Sequence, residues 1–285
     1  MLFKLKKKQP ERQRVSVIII SYNNESQVAK CLDALRQQTV SPHQMILVDT
    51  GSKDRSYLEK YREECYVIEA EPHCGFCVGN NLGYLAVDPE ADAVLFLNPD
   101  AFLFPDFLEN GARYLSHHTD VGAITGLTLG YDFEMKKPTG FVDTTGIFST
   151  WYGKWYDRGQ GSIYEPVNSP GHGDIPAICG AVFLGRKKAL DQTRINREVM
   201  DSRYFMYKED IDLSLRLLKK KWKLRYVPEL KAYHCRGWKK NRKEMPRQYR
   251  LYSARNELRV NWGRKHLIGS LYSLTKYLTV KVFNC

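Results

Sequence analysis

The chain has 285 residues, 43% of them hydrophobic and 27% charged, a composition that excludes a disordered polypeptide and leaves ample apolar surface for a core. Its formal charge of +12 is uneven: Lys219 to Lys265 holds seventeen Lys or Arg against three Glu, a net of +14, so the remainder is slightly acidic and this one segment implies an anionic partner. No uninterrupted apolar run reaches the ~18 residues of a spanning helix, and the basic opening Met1-Leu-Phe-Lys-Leu-Lys-Lys-Lys8 lacks an apolar stretch of signal-peptide length behind it. The expectation is a cytoplasmic protein whose seven cysteines, an odd number, are reduced thiols.

Residues 1–14 read as a charged arm. Val15-Ser-Val-Ile-Ile-Ile20 predicts a buried strand that stops at Ser21-Tyr22-Asn23-Asn24, and Val28, Cys31, Leu32 and Leu35 then recur at helical spacing. Met45-Ile-Leu-Val48 predicts a second strand, ending at Asp49-Thr-Gly-Ser-Lys-Asp54. Leu58 to Glu64 reads as helical, Tyr66-Val-Ile68 as a short third strand, and Gly75-Phe-Cys-Val-Gly-Asn-Asn-Leu-Gly83 as the opening of a helix. Ala93-Val-Leu-Phe-Leu97 is apolar throughout, the pattern of a strand buried on both faces, and Pro99 ends it within Asn98-Pro-Asp100.

Strands alternate with helices here, which predicts a parallel sheet with right-handed crossovers. Ser21 and Tyr22, Asp49, and Asp100 follow three separate strands and should converge at one carboxyl edge, where open α/β sheets take ligands. Each has a plainer reading alone: Tyr22 as a core-edge aromatic, Asp49 as a cap for Gly51-Ser52, Asp100 as a turn former.

Thr125 to Asp174 is rich in glycine and aromatics and reads as loops and short strands, a place for a substrate cover. Trp151 and Trp155 there either stack on a bound ligand or fill a small core. Ile178 to Leu184 predicts a strand, with Arg186-Lys-Lys188 opening a helix. Another helix begins at Glu209-Asp-Ile-Asp212 and carries Ile211, Leu215 and Leu218 on one face with Leu213 and Leu217 beside it; its acids offer a general base, though Asp212 could simply pair with Arg216. Trp222 to Val227 predicts a strand before Tyr233-His-Cys-Arg-Gly237. Cys74 and Cys77 are one pair, short of the four ligands of structural zinc. Residues 241–285 form a basic helical segment in which Leu267, Ile268, Leu271, Leu274, Leu278 and Val282 recur near helical spacing. Such a helix lies in a membrane interface or docks on the preceding domain, and the first is favoured.

In this order, Val17-Ile-Ile-Ile-Ser-Tyr-Asn23, Val48-Asp-Thr-Gly-Ser-Lys-Asp-Arg-Ser56, Gly75 to Gly83, Leu97-Asn-Pro-Asp100 and Glu209-Asp-Ile-Asp-Leu213 resemble the GT-A-fold glycosyltransferases of family two, over about residues 15 to 260. The Gly-Phe-x-x-Gly-Asn-Asn and Asn-Pro-Asp versions look most like the rhamnosyltransferase branch. The resemblance implies an α/β GT-A fold over 15–240 with a mostly parallel central sheet, and a metal-dependent inverting transfer from a dTDP- or UDP-sugar. It also implies a glycan acceptor, one candidate being a glycan carried on a lipid diphosphate at the inner face of a bacterial membrane. Ser21, Tyr22, Asp49, Gly75, Gly79, Asn80, Asn81 and Asn98 would bind the donor, with one of the paired asparagines alternatively a helix cap. Asp100 and His234 would hold Mn²⁺ or Mg²⁺. Asp210 would be the base, with Glu209 as substitute. Asn98 departs from the usual acidic first position and brings no charge to a metal. A UDP-dependent hexosyl- or galactofuranosyltransferase is the alternative within the class, and a non-catalytic nucleotide-sugar or nucleic-acid binder the alternative outside it. No nucleic-acid module is recognisable, so no nucleic acid is expected.

Overall fold

The structure, a computed structural model, describes residues 13–236 and 245–283. Most of the N-terminal arm and the basic run around Trp238 to Lys243 lie outside the described residues.

The first half follows the sequence pattern closely. Strand β1 (Val15–Ser21), helix α1 (Glu25–Arg36), β2 (Gln44–Asp49), β3 (Tyr66–Glu69), α2 (Gly75–Leu85) and β4 (Ala93–Leu97) succeed one another as expected. The stretch read as helical from Leu58 is a 3₁₀ turn over Ser56–Tyr61. β1 pairs in parallel with both β2 and β4, and β2 with β3, so their carboxyl ends share one edge. The apolar runs of β1, β2 and β4 are buried on both faces, and α1 covers one face with Val28, Cys31, Leu32 and Leu35. On α2, Gly79 is needed for close packing: a Cβ there would lie 2.7 Å from Thr50 Cγ2 and 3.2 Å from Ile20 Cγ2.

The remaining elements are β5 (Ala101–Leu103), α3 (Phe107–His117), β6 (Val121–Asp132), β7 (Lys137–Thr144), β8 (Ile147–Ser149), β9 (Trp155–Asp157), β10 (Gly173–Asp174), β11 (Val182–Arg186), α4 (Lys187–Gln192), α5 (Glu209–Lys219), β12 (Lys223–His234), α6 (Arg247–Gly263) and α7 (Leu267–Phe283). Among the described residues the main sheet runs β10-β12-β6-β11-β4-β1-β2-β3, with β5 on β12 and β7 on β6. β11 is antiparallel to both β4 and β6, which makes the sheet mixed.

Two readings of the sequence are corrected. The middle region is not only loops and short strands: β6 is a twelve-residue, almost wholly buried strand in the body of the sheet. Its glycines hid it, and Gly126 is there because a Cβ would meet the Leu230 carbonyl oxygen at 1.7 Å. The strand beginning near Trp222 runs on to His234, past Pro228, with a register shift between Tyr226 and Lys231 that accommodates the proline. That extension pairs His234 with Ala101 on β5 and so brings it beside Asp100.

Three residues of the basic segment are paired with acids. Lys223 meets Asp120 at 2.7 Å, Arg225 meets Asp174 at 3.2 Å, and Arg236 meets Asp157 at 2.8 Å.

Candidate functional site

The loops that leave β1, β2 and β4 lie at the carboxyl edge, but the expected side chains divide between exposed and buried roles. Tyr22 is 40% exposed and tilts against His73, with ring centroids 6.0 Å apart. Ser21 is fully buried, and its Oγ lies 2.7 Å from the Tyr57 hydroxyl oxygen. Asp49 is also fully buried. Its Oδ1 accepts from the backbone of Gly51 and Ser52, its Oδ2 from the hydroxyls of Ser52 and Tyr57, and Arg55 Nε lies 3.1 Å from Oδ1. Burial opposes its charge, but the donors from Ser52, Tyr57 and Gly51 outweigh burial and hold the carboxyl below its usual range. With its lone pairs so engaged, Asp49 shapes the wall of the loop that leaves β2.

The helix motif behaves likewise. Gly75 has a left-handed backbone (φ 87°), and a Cβ on it would strike the Phe205 ring at 2.5 Å. Neither asparagine caps the helix, because both sit inside α2. Asn80 donates to the Phe76 carbonyl. Asn81 donates to the Met200 carbonyl at 2.7 Å and accepts from the backbone of Val199 and Met200, so it fastens the loop ahead of the acids.

Asp100 and His234 do come together. His234 Nε2 is 3.3 Å from Asp100 Oδ1, and its Nδ1 is 2.8 Å from Asp143 Oδ2. Arg236 continues the chain, with Nε 3.2 Å from Asp143 and Nη1 2.8 Å from Asp157. Burial works against the imidazolium, yet the two carboxylates outweigh it and His234 is pushed up to about 10. Burial likewise opposes the charges of Asp100 and Asp143, and His234 and Arg236 hold both carboxyls below the usual range. In the same turn Asn98 Oδ1 is buried with no hydrogen-bond partner.

This donor set fits a divalent cation. Asp143 on Nδ1 fixes the ring as carboxylates do behind metal-binding histidines, and a cation would take the place of the proton that Nε2 shares with Asp100. No cluster of three or more His, Cys, Asp or Glu suited to a metal occurs among the described residues. A cation here would thus take two protein ligands and complete its shell from phosphate and water, as Mg²⁺ sites often do.

The acids of α5 form the second half of the site. Asn98 N–H donates to the Ala181 carbonyl at 2.8 Å, and the neighbouring Gly180 N–H donates to Asp210 Oδ2 at 2.9 Å. The Asn-Pro-Asp turn and Asp210 therefore meet across the dipeptide that leads into β11. Asp210 Oδ1 also accepts from the Ile211 N–H. Glu209 is buried, with Oε2 unpartnered. Burial pushes both carboxyls up, Glu209 also through the charge of Asp210. Asp212 is engaged elsewhere, 2.8 Å from Arg216 Nε as the i, i+4 spacing suggested.

The loop before these acids is strained. Phe205, Tyr207 and Lys208 have φ of 62°, 68° and 71°, a region that costs non-glycine residues about 1–3 kcal/mol each. Asn256 of α6 holds it: its amide nitrogen donates to the carbonyls of Tyr204, Met206 and Tyr207 at 2.8, 2.9 and 3.0 Å. Sequence reasoning missed Asn256, as it missed Asp143, Asp157 and Arg236; among these only Arg236 carried a signal, its place two residues after His234. Of the two readings open for the tryptophans, Trp155 takes the core-filling one, buried with its indole N–H on Asn261 Oδ1, whereas Trp151 is exposed.

Comparison with known proteins agrees with this geometry. The family model described as Glycosyl transferase family 2 matches residues 16–194. The chain is 25% identical over 240 residues to the N-acetylglucosaminyl-diphospho-decaprenol L-rhamnosyltransferase of Mycobacterium tuberculosis (strain ATCC 25618 / H37Rv), covering 76% of this chain and 75% of that one. It is 27% identical over 232 residues to Rhamnosyltransferase WbbL of Escherichia coli (strain K12), covering 77% and 83%. Against several other curated relatives the match spans about a third to just over half of their length. A solved structure described as GalNAc-T7 with UDP, GalNAc and Mn²⁺ superposes with a TM-score of 0.67 at 15% identity, covering 89% of this chain and 48% of that one, a likeness of fold.

Proposed function

The chain belongs to glycosyl transferase family 2, and from that premise we propose that it transfers rhamnose from dTDP-rhamnose, with inversion, to a glycan acceptor carried on a lipid diphosphate. The observation that carries this reading is the meeting of Asp210 with the Asn98-Pro-Asp100 turn across Gly180 and Ala181. It sets a half-buried carboxylate close to a carboxylate–histidine pair suited to a cation–diphosphate group. The rhamnosyl- and decaprenol-diphospho- in the relatives' names support the donor and the carrier.

Asp210 takes the proton of the acceptor hydroxyl as that oxygen bonds to the anomeric carbon, and the bond from that carbon to the diphosphate oxygen breaks with its electron pair. Of the two acids, Asp210 is better placed than Glu209. Two backbone N–H groups favour its ionised form, while Glu209 is buried with one oxygen unpartnered and keeps its proton more readily. Asp100 and His234 would hold Mn²⁺ or Mg²⁺, which when bound offsets charge on the leaving diphosphate. Tyr22 offers the base a ring, and the buried Ser21, Asp49, Asn80 and Asn81 keep the surrounding loops in shape.

Thermal-shift binding with a panel of sugar nucleotides, with and without Mn²⁺, on wild type and Asp100→Ala tests this. A metal-dependent rise in Tm with dTDP-rhamnose that Asp100→Ala abolishes is the expected result. A rise with UDP-sugars alone would leave the transferase standing and replace the donor by that of a hexosyl- or galactofuranosyltransferase. No rise with any nucleotide would overturn the site.

A further inference from the structure

The C-terminal helices pack in an order that hydropathy alone would not suggest. α7 lies against α6 through its small residues, with Gly269, Ser270 and Ser273 buried. Asn261 of α6 donates to the Gly269 carbonyl at 3.2 Å and to Ser273 Oγ at 2.7 Å, and Lys276 meets the buried Glu257. The large apolar residues face the other way. Leu267, Ile268, Leu271, Leu274, Leu278 and Val282 are 82, 55, 66, 41, 47 and 65% exposed. Leu267, Leu271, Leu274, Leu278 and Val282 follow one another at steps of four, three, four and four, so they form one continuous stripe along the helix. A single exposed leucine needs no explanation, but a stripe of this length on one face does.

The charge around the stripe is one-sided. Between residues 245 and 283 there are eight Lys or Arg and one acid, Glu257, which is buried and paired with Lys276. No described helix is long and apolar enough to cross a membrane, so the stripe does not belong to a span. A second copy of this chain would bring an equally basic rim against it, and like charges facing one another disfavour that pairing. A surface combining negative headgroups with an apolar layer beneath satisfies both features.

We propose that the outer face of α7 docks on an anionic lipid surface, with the leucine stripe in the acyl boundary and the exposed Lys265 and Lys281 that flank it at the headgroups. This goes beyond the proposed reaction and does not rest on the donor or on turnover, because lipid binding is read without substrate.

The test is flotation of the full chain with vesicles of phosphatidylcholine alone and of phosphatidylcholine mixed with phosphatidylglycerol. The protein should float with the mixed vesicles, less so in high salt, and only weakly with the neutral ones. Leu271→Ser combined with Leu278→Ser should lower partition onto mixed vesicles by roughly tenfold or more at unchanged Tm, since both side chains are solvent-exposed. Equal partition of wild type and variant would overturn the stripe, and equal partition onto neutral and anionic vesicles would overturn the charge argument. A lipid-free dimer that the double variant converts to monomer would replace the lipid by a second copy. Donor binding by the double variant, measured in the same Tm experiment, keeps this outcome separate from failure of the catalytic site.

Discussion

Removing the Asn256 amide should unlatch the two acids proposed for catalysis. Its nitrogen carries two hydrogens and faces three carbonyls, so one contact is shared, and all are closed to solvent because Asn256 is fully buried. Asn256→Ala removes about two hydrogen bonds, each ~1 kcal/mol net, and leaves buried carbonyls short of donors, for about 2–4 kcal/mol in total. In a chain of this size that lowers Tm by about 5–10 °C. The larger consequence is geometric. Once freed, Phe205, Tyr207 and Lys208 relax from their left-handed conformations, and Glu209 and Asp210 are the next two residues. A displacement of about 1 Å at a reacting group costs on the order of 100-fold in rate. At saturating donor and acceptor, well below Tm, kcat should therefore fall about 10- to 100-fold with little change in donor KM. Asn261→Ala provides the comparison, since Asn261 is an equally buried asparagine of α6 that ties Gly153, Gly269 and Ser273 instead. It should lose comparable stability and keep kcat within about threefold. If both variants lose Tm equally and both keep kcat, Asn256 is a structural residue and the latch reasoning is wrong.

Asp210→Asn should lower kcat by about 100-fold or more while nucleotide binding holds, whereas Glu209→Gln should retain most activity; the reverse ranking in single-turnover rates would make Glu209 the base. The pH dependence follows from burial. A carboxyl raised in the fold holds its proton at pH values where the unfolded chain has lost it, so stability falls as pH rises from the ordinary carboxylate range towards the raised value. Glu209→Gln should flatten that decline, which denaturation at a series of pH values measures, and wild-type kcat should rise with pH through a midpoint above the ordinary aspartate value. Asp143→Asn leaves His234 and Arg236 without their shared buried carboxylate and should cost about 3–5 kcal/mol. A loss below about 1 kcal/mol in chemical denaturation would mean that water or rearrangement replaces that partner.

The sequence made the carboxyl edge legible because β1, β2 and β4 are nearly pure apolar runs that stop at polar turns. Chain direction then placed Tyr22, Asp49 and Asp100 together without any knowledge of packing. What each side chain does there was less legible. Ser21, Asp49 and Asn81 are ordinary candidate ligands by residue type, and only their hydrogen-bond partners reveal that they serve the loops. β6 was masked by Gly122, Gly126 and Gly130, which weaken a strand signal even where close backbone approach requires one of them. β12 was masked by Pro228, and with it the contact of His234 with Asp100. Asp143 and Asp157 lie far from both in sequence and arrive through β7 and β9, so no local pattern could announce them.

Helix α6 shows why hydropathy misreads an element that connects others. Asn256, Glu257 and Asn261 mark a polar face by composition, yet all three are fully buried. Each reaches a different part of the fold: Asn256 the strained loop before Asp210, Glu257 the Trp155 N–H and Lys276, Asn261 the Trp155 indole, Gly153 and α7. These contacts fix α7 with its small residues inward, and the leucines are left outward as a result. The polar face of α6 and the apolar exposure of α7 are thus one structural fact. An apolar inner face on α6 would draw the leucines of α7 inward and leave the carbonyls of Tyr204, Met206 and Tyr207 without donors. The buried asparagines keep the outer helix available to a surface and hold the acids of α5 in place, so the two roles of the C-terminal pair depend on the same side chains.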